Sequence, residues 1–196
     1  CSREAITSDA RRWLLTDHGK GRREWGYVNI KRRILVEPLM ADASCPVQEL
    51  KYYCFGDRIM RLLQIVGRSD DNMFARTYEP DTNDVLHITD IPAEVTHRLY
   101  DGGLPATAAR AEALARRIGV GFDHVRIDFL TNGRELWLGE MTLYNQAGKL
   151  SRGGSDPCHP IAQAWDLRRT NFLRNPPQSG WRAVYVRALL RELDRQ

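Results

Sequence analysis

His124-Val-Arg-Ile-Asp-Phe-Leu-Thr-Asn-Gly-Arg-Glu-Leu-Trp-Leu-Gly-Glu-Met-Thr142 places two apolar-alternating runs around Asn132-Gly133, the composition and punctuation of a β-hairpin. The runs predict strands over Phe122 to Leu130 and Leu136 to Thr142. Side chains alternate faces along a strand, so Val125, Ile127 and Phe129 share one face and Arg126 and Asp128 the other. On the returning strand Trp137 and Met141 go together, as do Glu140 and Thr142. A two-residue Asn-Gly turn pairs Asp128 with Trp137, sends Glu140 to the far face and splits the apolar set. A loop of odd length keeps the parity. It gathers Val125, Ile127, Phe129, Trp137 and Met141 on one side and Arg126, Asp128, Glu140 and Thr142 on the other. A buried face sets the register, so the odd loop is the expected one.

Two carboxylates on neighbouring strands repel unless a cation lies between them. Mg²⁺ suits such a pair, because nucleotide sites supply it with one or two carboxylates plus phosphate oxygens. Arg126 beside them has the fork that grips phosphate oxygens or a developing oxyanion. On the hairpin alone, a plain solvated charged face is the commoner arrangement.

Upstream, Val47 to Phe55 is rich in aromatic and β-branched residues and reads as a strand, with Glu49, Lys51, Tyr53 and Phe55 on one face. Lysine is seldom buried without a partner. Lys51 among aromatics reads either as a phosphate neutraliser or as a lysine protecting a sheet edge. Gly56-Asp57 suits a type II′ turn, and Arg58 to Val66 is the returning strand. Ser8 to Leu15 predicts a short helix with Ser8 as N-cap, and Arg33 to Val36 a short strand. Gly19 to Arg23 reads as a basic turn, Ser69 to Asp84 as a polar loop, and Ser151 to Pro160 as another. The segment Ile88 to Gly103 gives mixed signals. Pro105 opens a helix with Ala111, Leu114, Ala115 and Ile118 on one face, which Gly119 is placed to end. Trp181 to Leu193 reads as a closing amphipathic helix. Hairpins mixed with helices predict an α+β fold, an antiparallel sheet with flanking helices.

The 196 residues suffice for one domain or two small subdomains. The net charge of +4 is mildly basic, which suits a nucleotide and falls short of a nucleic-acid binder; no stacking strip or recognition motif accompanies it. No stretch is long and apolar enough to cross a bilayer. The four cysteines form no CxxC pair and the five histidines are scattered, the pattern of free thiols in a reducing cytosol rather than of a metal centre. The basic runs Lys20 to Arg23 and Lys31 to Arg33 read as a solvated charged face.

Several of these stretches, taken in order, resemble a known family. Arg23-Glu-Trp-Gly-Tyr27 and Ile34-Leu-Val-Glu37 precede Pro38-Leu39. Glu49-Leu-Lys-Tyr-Tyr-Cys-Phe-Gly56 follows, then a helix over Ala106 to Ile118. Val125-Arg-Ile-Asp128, Gly139-Glu-Met-Thr142 and a loop with Gly148 complete the series. From about Ser8 to Gly148 the chain resembles the C-terminal half of ATP-grasp enzymes, most closely the TupA-like (teichuronopeptide-biosynthesis type) branch. The resemblance implies an ATP-grasp-like sheet. Residues 1–38 would be a remnant of the central subdomain and hinge, and 39–196 the C-terminal subdomain with the metal and nucleotide site. It implies that Asp128 and Glu140 bind metal and that Arg126 holds phosphate and the intermediate. Lys51 would reach the nucleotide phosphates, and Val36 to Leu39 would be the hinge that bonds the adenine edge. Either Glu37 or Glu49 would lie near the ribose. Many family members have Glu-x-Asn where this chain has Glu140-Met-Thr142; Thr142 is a poorer Mg²⁺ ligand, and Asn145 is a candidate substitute. The family's upstream lysine and glycine-rich phosphate loop have no counterpart in these residues. They are expected before Cys1, or the protein is a degenerate relative.

The implied chemistry is ATP- and Mg²⁺-dependent joining of a carboxylate to an amine through an acylphosphate, with Arg126 and Lys51 as catalytic groups. The implied partners are small-molecule carboxylate and amine substrates, with a glycan as a candidate, and no nucleic acid. Loss of turnover with an intact fold is expected of both Asp128→Ala and Glu140→Ala. The alternatives are a phosphotransferase on the same scaffold and a non-catalytic nucleotide-binding module.

Overall fold

Among the described residues, six strands form a sheet in the order β4-β3-β2-β1-β5-β6. The structure is a computed structural model that describes residues 2–16, 30–38, 46–68, 73–79, 98–145, 160–177 and 179–195. The strands are β1 (Gln48–Phe55), β2 (Arg58–Val66), β3 (Phe74–Tyr78), β4 (Arg98–Leu99), β5 (Val125–Thr131) and β6 (Leu136–Thr142). All neighbours pair antiparallel except β3 with β4. The helices are α1 (Arg3–Leu15), α2 (Ala108–Gly119), α3 (Pro160–Ala164), α4 (Asn171–Arg174) and α5 (Gly180–Leu193), with a 3-10 turn at Leu167–Arg169. The α+β class with an antiparallel sheet is the one expected.

One face of the sheet packs on α2. Leu50, Tyr52, Cys54, Ile59, Leu62, Val125, Ile127 and Phe129 meet Ala108, Ala111 and Ala115. The small alanines let the helix lie close, and the strand residues supply the apolar area, at about 1.5–3 kcal/mol for each large side chain removed from water. Tyr52 satisfies its buried hydroxyl by donating to the Ala108 carbonyl at 3.0 Å. On the opposite face Tyr53, Phe55 and Ile161 form a smaller apolar cluster with Met60, Leu63, Ala164 and Trp165. The α3 segment therefore covers one end of that face, and a charged cluster lies beyond it.

Several expectations are corrected. Helix α1 begins at Arg3, capped by Ser2, whose Oγ accepts from the Ala5 N–H at 3.2 Å; Ser8 lies inside it. Arg33 to Val36 is not a strand. Residues 30–38 have no regular secondary structure and are exposed, since β propensity yields a strand only where a partner completes the ladder. Strand β3 lies inside the expected polar loop. It is short and carries Arg76 and Thr77, and its pairing with β2 supplies what its composition does not. Gly119 does not end α2 through a left-handed cap, for its φ is not positive. A Cβ there would overlap the Gly56 carbonyl oxygen and crowd Cys54, so glycine is needed for the close approach of helix and hairpin. Gly56 has φ +66° while Asp57 keeps a negative φ, the II′ combination expected. The basic turn at Gly19 to Arg23, the stretch Arg23 to Tyr27 and Gly148 lie outside the described residues.

The β5–β6 hairpin reaches the expected pairing by an unexpected route. Thr131 pairs with Leu136, so its loop has an even number of residues. Parity is restored further along by a β-bulge. Phe129 pairs with Leu138, whereas Asp128 pairs with Glu140, leaving Gly139 as the extra residue. Trp137 consequently sits opposite Leu130 on the charged face rather than among the apolar set, and Leu136 packs on the core instead. Met141, opposite Ile127 on the edge strand, stays 39 % exposed.

Candidate functional site

Cross-strand pairing writes the charged face as rows. Lys51 on β1 faces Asp128 on β5, which faces Glu140 on β6. The next row is Arg61, Tyr53, Arg126 and Thr142, from β2 to β6. Partners in a row share a face, so strand alternation and the Gly139 bulge together bring these side chains to one place.

Arg126 is the hub. Its Nε donates to Asp128 Oδ1 at 2.7 Å and its Nη2 to Asp128 Oδ2 at 2.8 Å, a bidentate clasp. Nη1 donates to Asn145 Oδ1 at 2.7 Å. Nη2 also has Glu140 Oε2 and Thr142 Oγ1 at 3.1 Å each. That nitrogen carries two hydrogens, and three acceptors compete for them. Burial of Arg126 opposes its charge, but the bonds and charges of Asp128, with Tyr53 and Glu140, more than offset this and raise its pKa.

Lys51 ion-pairs with Asp128 Oδ2 and, at 2.9 Å, with Glu49 Oε2, and Arg68 closes on the other oxygen of Glu49. The result is a chain of alternating charge: Arg68, Glu49, Lys51, Asp128, Arg126, Glu140. Its centre is dry and its ends are wet. The side chains of Lys51 and Asp128 are 10 % and 5 % exposed, against 56 % for Arg68 and 51 % for Glu140. Buried ions are tolerated only when paired and hydrogen-bonded, and this chain supplies both.

The residues singled out in the sequence separate into two groups. Lys51, Glu49, Arg126, Asp128, Glu140, Thr142 and Asn145 come together. Val36 is 86 % exposed and Glu37 is exposed too, in the stretch without regular structure and outside the cluster; Leu39 lies outside the described residues. The guanidinium, rather than a space for an ion, stands between the two carboxylates. Among the described residues no three His, Cys, Asp or Glu side chains gather as a metal cage. The oxygens of Asp128, Glu140, Thr142 and Asn145 are nevertheless the donors Mg²⁺ takes, and Glu140 is half-exposed with a shared bond to Arg126. This set fits a metal arriving with phosphate oxygens, not one caged by protein alone.

Two residues of this face carry no role in the sequence reading. Tyr53 was legible as a neighbour of Lys51 by alternation. Arg61 was not, because a second bulge decides its side. Cys54 pairs with Ile59 but Tyr53 with Arg61, leaving Met60 extra; a regular ladder turns Arg61 toward the α2 core. Beside the site, His124 is fully buried and stacks on Phe55 at 4.5 Å. Its Nδ1 donates to the Cys54 carbonyl at 3.1 Å, and burial lowers its pKa. Asp123 accepts from the Trp165 indole N–H at 2.8 Å, tying the α3 segment to the start of β5.

No curated protein and no solved structure matches the chain. The TupA-like ATPgrasp family model matches residues 4–153, from α1 past the whole sheet and the Arg126 cluster, and the chain belongs to that family.

Proposed function

We propose that this protein activates a substrate carboxylate with Mg-ATP and joins it to an amine. ATP-dependent, ligase-type function in the broad sense comes with the family; the steps and residue roles below are our reading. The observation that carries it is the half-buried Arg126 holding the buried Asp128, with Glu140, Thr142 and Asn145 around it and Lys51 on the far side of Asp128.

A carboxylate oxygen of the substrate attacks the γ-phosphorus of ATP, ADP leaves, and an acylphosphate forms. The amine then attacks the acyl carbon, phosphate leaves, and the amine's proton passes to solvent or to a nearby base. Mg²⁺, held by Asp128 and Glu140 with Asn145 or Thr142, would neutralise phosphate charge. Arg126 and Lys51 orient the transferring group and stabilise its developing charge, which is most of what phosphoryl transfer asks of a protein. Glu49, on the same face as Lys51, is a candidate for the ribose hydroxyls, with Glu37 the other; the adenine hinge at Val36 to Leu39 rests on the resemblance alone. The ligation joins an amino acid to a glycan or peptide in polysaccharide, cell-envelope or other metabolite synthesis, in the cytoplasm where ATP is supplied.

Calorimetry with a non-hydrolysable ATP analogue, with and without Mg²⁺, tests the nucleotide site. Hydroxylamine trapping with ATP and a carboxylate panel tests the acylphosphate. Mg²⁺-dependent binding and hydroxamate are expected. ADP release with a phosphorylated alcohol and no hydroxamate assigns a phosphotransferase, binding without turnover a nucleotide-binding module, and no binding removes the proposal.

A further inference from the structure

We propose that Arg61 is a second anion-binding position on the site face, taking a carboxylate or phosphate group that the acyl substrate carries besides the carboxylate being activated. This names a substrate class and rests on the ligase reading above.

Charge bookkeeping points to it. Arg68, Lys51 and Arg126 are each matched within the alternating chain by Glu49, Asp128 and Glu140. Arg61 lies on the same face, opposite Tyr53, and has no carboxylate partner among the described residues. Continuing the β2–β3 pairing past Leu62 and Tyr78 brings Glu79 alongside, yet Glu79 is exposed and does not pair with it. The Nε of Arg61 is buried and has no hydrogen-bond partner. A buried donor without a partner is rare, and the rest of the guanidinium, on a side chain of intermediate exposure, offers an anion a fork that matches carboxylate and phosphate geometry.

The surroundings suit such a ligand. The Arg61 guanidinium carbon lies 5.6 Å from the centroid of the Tyr53 ring, a cation–π contact that holds the group in place while leaving N–H edges for an anion. Tyr53 packs with Phe55, Met60, Leu63 and Ile161, and an apolar setting strengthens an ion pair. Tyr53 also separates Arg61 from Arg126, one strand on either side. Strands are spaced about 4.8 Å apart, which puts the two arginine backbones on the order of 10 Å apart. Each arginine is a separate position on the face, one on either side of Tyr53. The substrate that engages both positions has two anionic groups.

The test uses the full chain and its Arg61→Met and Arg61→Lys variants, with inorganic phosphate and glutarate as probes. The Arg61 Nε–H signal is assigned by its loss in Arg61→Met and followed by ¹H–¹⁵N NMR; anion affinity is measured by calorimetry. A saturable shift of that signal is expected, with affinity weakened roughly tenfold or more in Arg61→Met and partly kept in Arg61→Lys. Glutarate and phosphate arms separate a carboxylate from a phosphate preference. Affinity for the Mg²⁺-bound ATP analogue should stay within about twofold, since the nucleotide is assigned to Lys51 and Arg126. Equal anion affinity in wild type and both variants overturns the proposal, as does parallel loss of nucleotide affinity, which gives Arg61 to the nucleotide. Should Arg61→Met fail to fold, Arg61→Lys and the wild-type signal decide. Absence of nucleotide binding in the wild type sinks the ligase reading separately, and the anion titration still reports on Arg61.

Discussion

Asp128 stands directly opposite Glu140 on neighbouring strands, and the Arg126 guanidinium bonds to both. The pair is unequal. Asp128 is buried and receives Lys51 as well, whereas Glu140 is half-exposed and shares one nitrogen of Arg126 with two other acceptors.

That inequality separates two substitutions the sequence treats alike. Glu140→Gln should keep the fold, within about 0.5 kcal/mol of wild type as at most exposed positions. It should still cut ATP turnover by about 10² or more, through loss of charge at the position we propose for phosphate and metal. Asp128→Ala removes the shared partner of two cations, and breaking a buried pair costs about 3–5 kcal/mol. Its loss of activity therefore comes with a lower unfolding midpoint, contrary to the intact fold expected from sequence. Urea titration beside an ADP-release assay checks both; an Asp128→Ala variant as stable as wild type would refute the burial argument.

Lys51 and Asp128 should behave as one unit. Lys51→Met takes one of two cationic partners from both Glu49 and Asp128, and Asp128→Asn takes one of two anionic partners from both Lys51 and Arg126. The double variant removes charges of opposite sign together, so its destabilisation should fall short of the sum of the singles by about 0.5–3 kcal/mol. Additive losses in a double-mutant cycle would mean the two side chains contribute independently.

Gly119→Ala sets helix propensity against packing. Alanine favours a helix over glycine by about 1 kcal/mol. Here its methyl would overlap the Gly56 carbonyl oxygen and press on Cys54, and overpacking a core costs about 1–3 kcal/mol. Backbone cannot swing away as a flexible side chain can, so a lower Tm is expected. Gly121→Ala is the control, since its Cβ would meet only the Ile118 carbonyl at 3.7 Å and should leave Tm nearly unchanged.

His124 should make stability fall with acid. Burial lowers its pKa below the ordinary 6.5, so as pH drops through that value the unfolded chain takes up the proton first. The contribution of neutral His124 is complete above about pH 6.5 and is lost progressively toward the folded-state pKa, at no more than about 1.4 kcal/mol per pH unit. His124→Gln keeps a donor for the Cys54 carbonyl and removes the titration. The gap in unfolding free energy between wild type and variant should narrow from about pH 7.5 to pH 5.5; parallel pH profiles would rule out His124 as the titrating group.

The sequence by itself determined the strands around Gly56-Asp57 and Asn132-Gly133, the helix carrying Ala111 and Ala115, and the sharing of one face by Arg126 and Asp128. These follow from periodicity and turn chemistry, which act between residues close in the chain. Tertiary structure alone decided the two bulges, at Met60 and Gly139. Each shifts parity by one residue, bringing Arg61 to the site face and Glu140 opposite Asp128, while the even loop of the β5–β6 hairpin sets Trp137 off the apolar set. It also decided β3, whose composition reads as loop, and the exposure of Arg33 to Val36, whose composition reads as strand. A bulge or an edge strand is settled by the neighbouring strand and by what packs on the sheet, and a single chain segment carries neither in its own pattern.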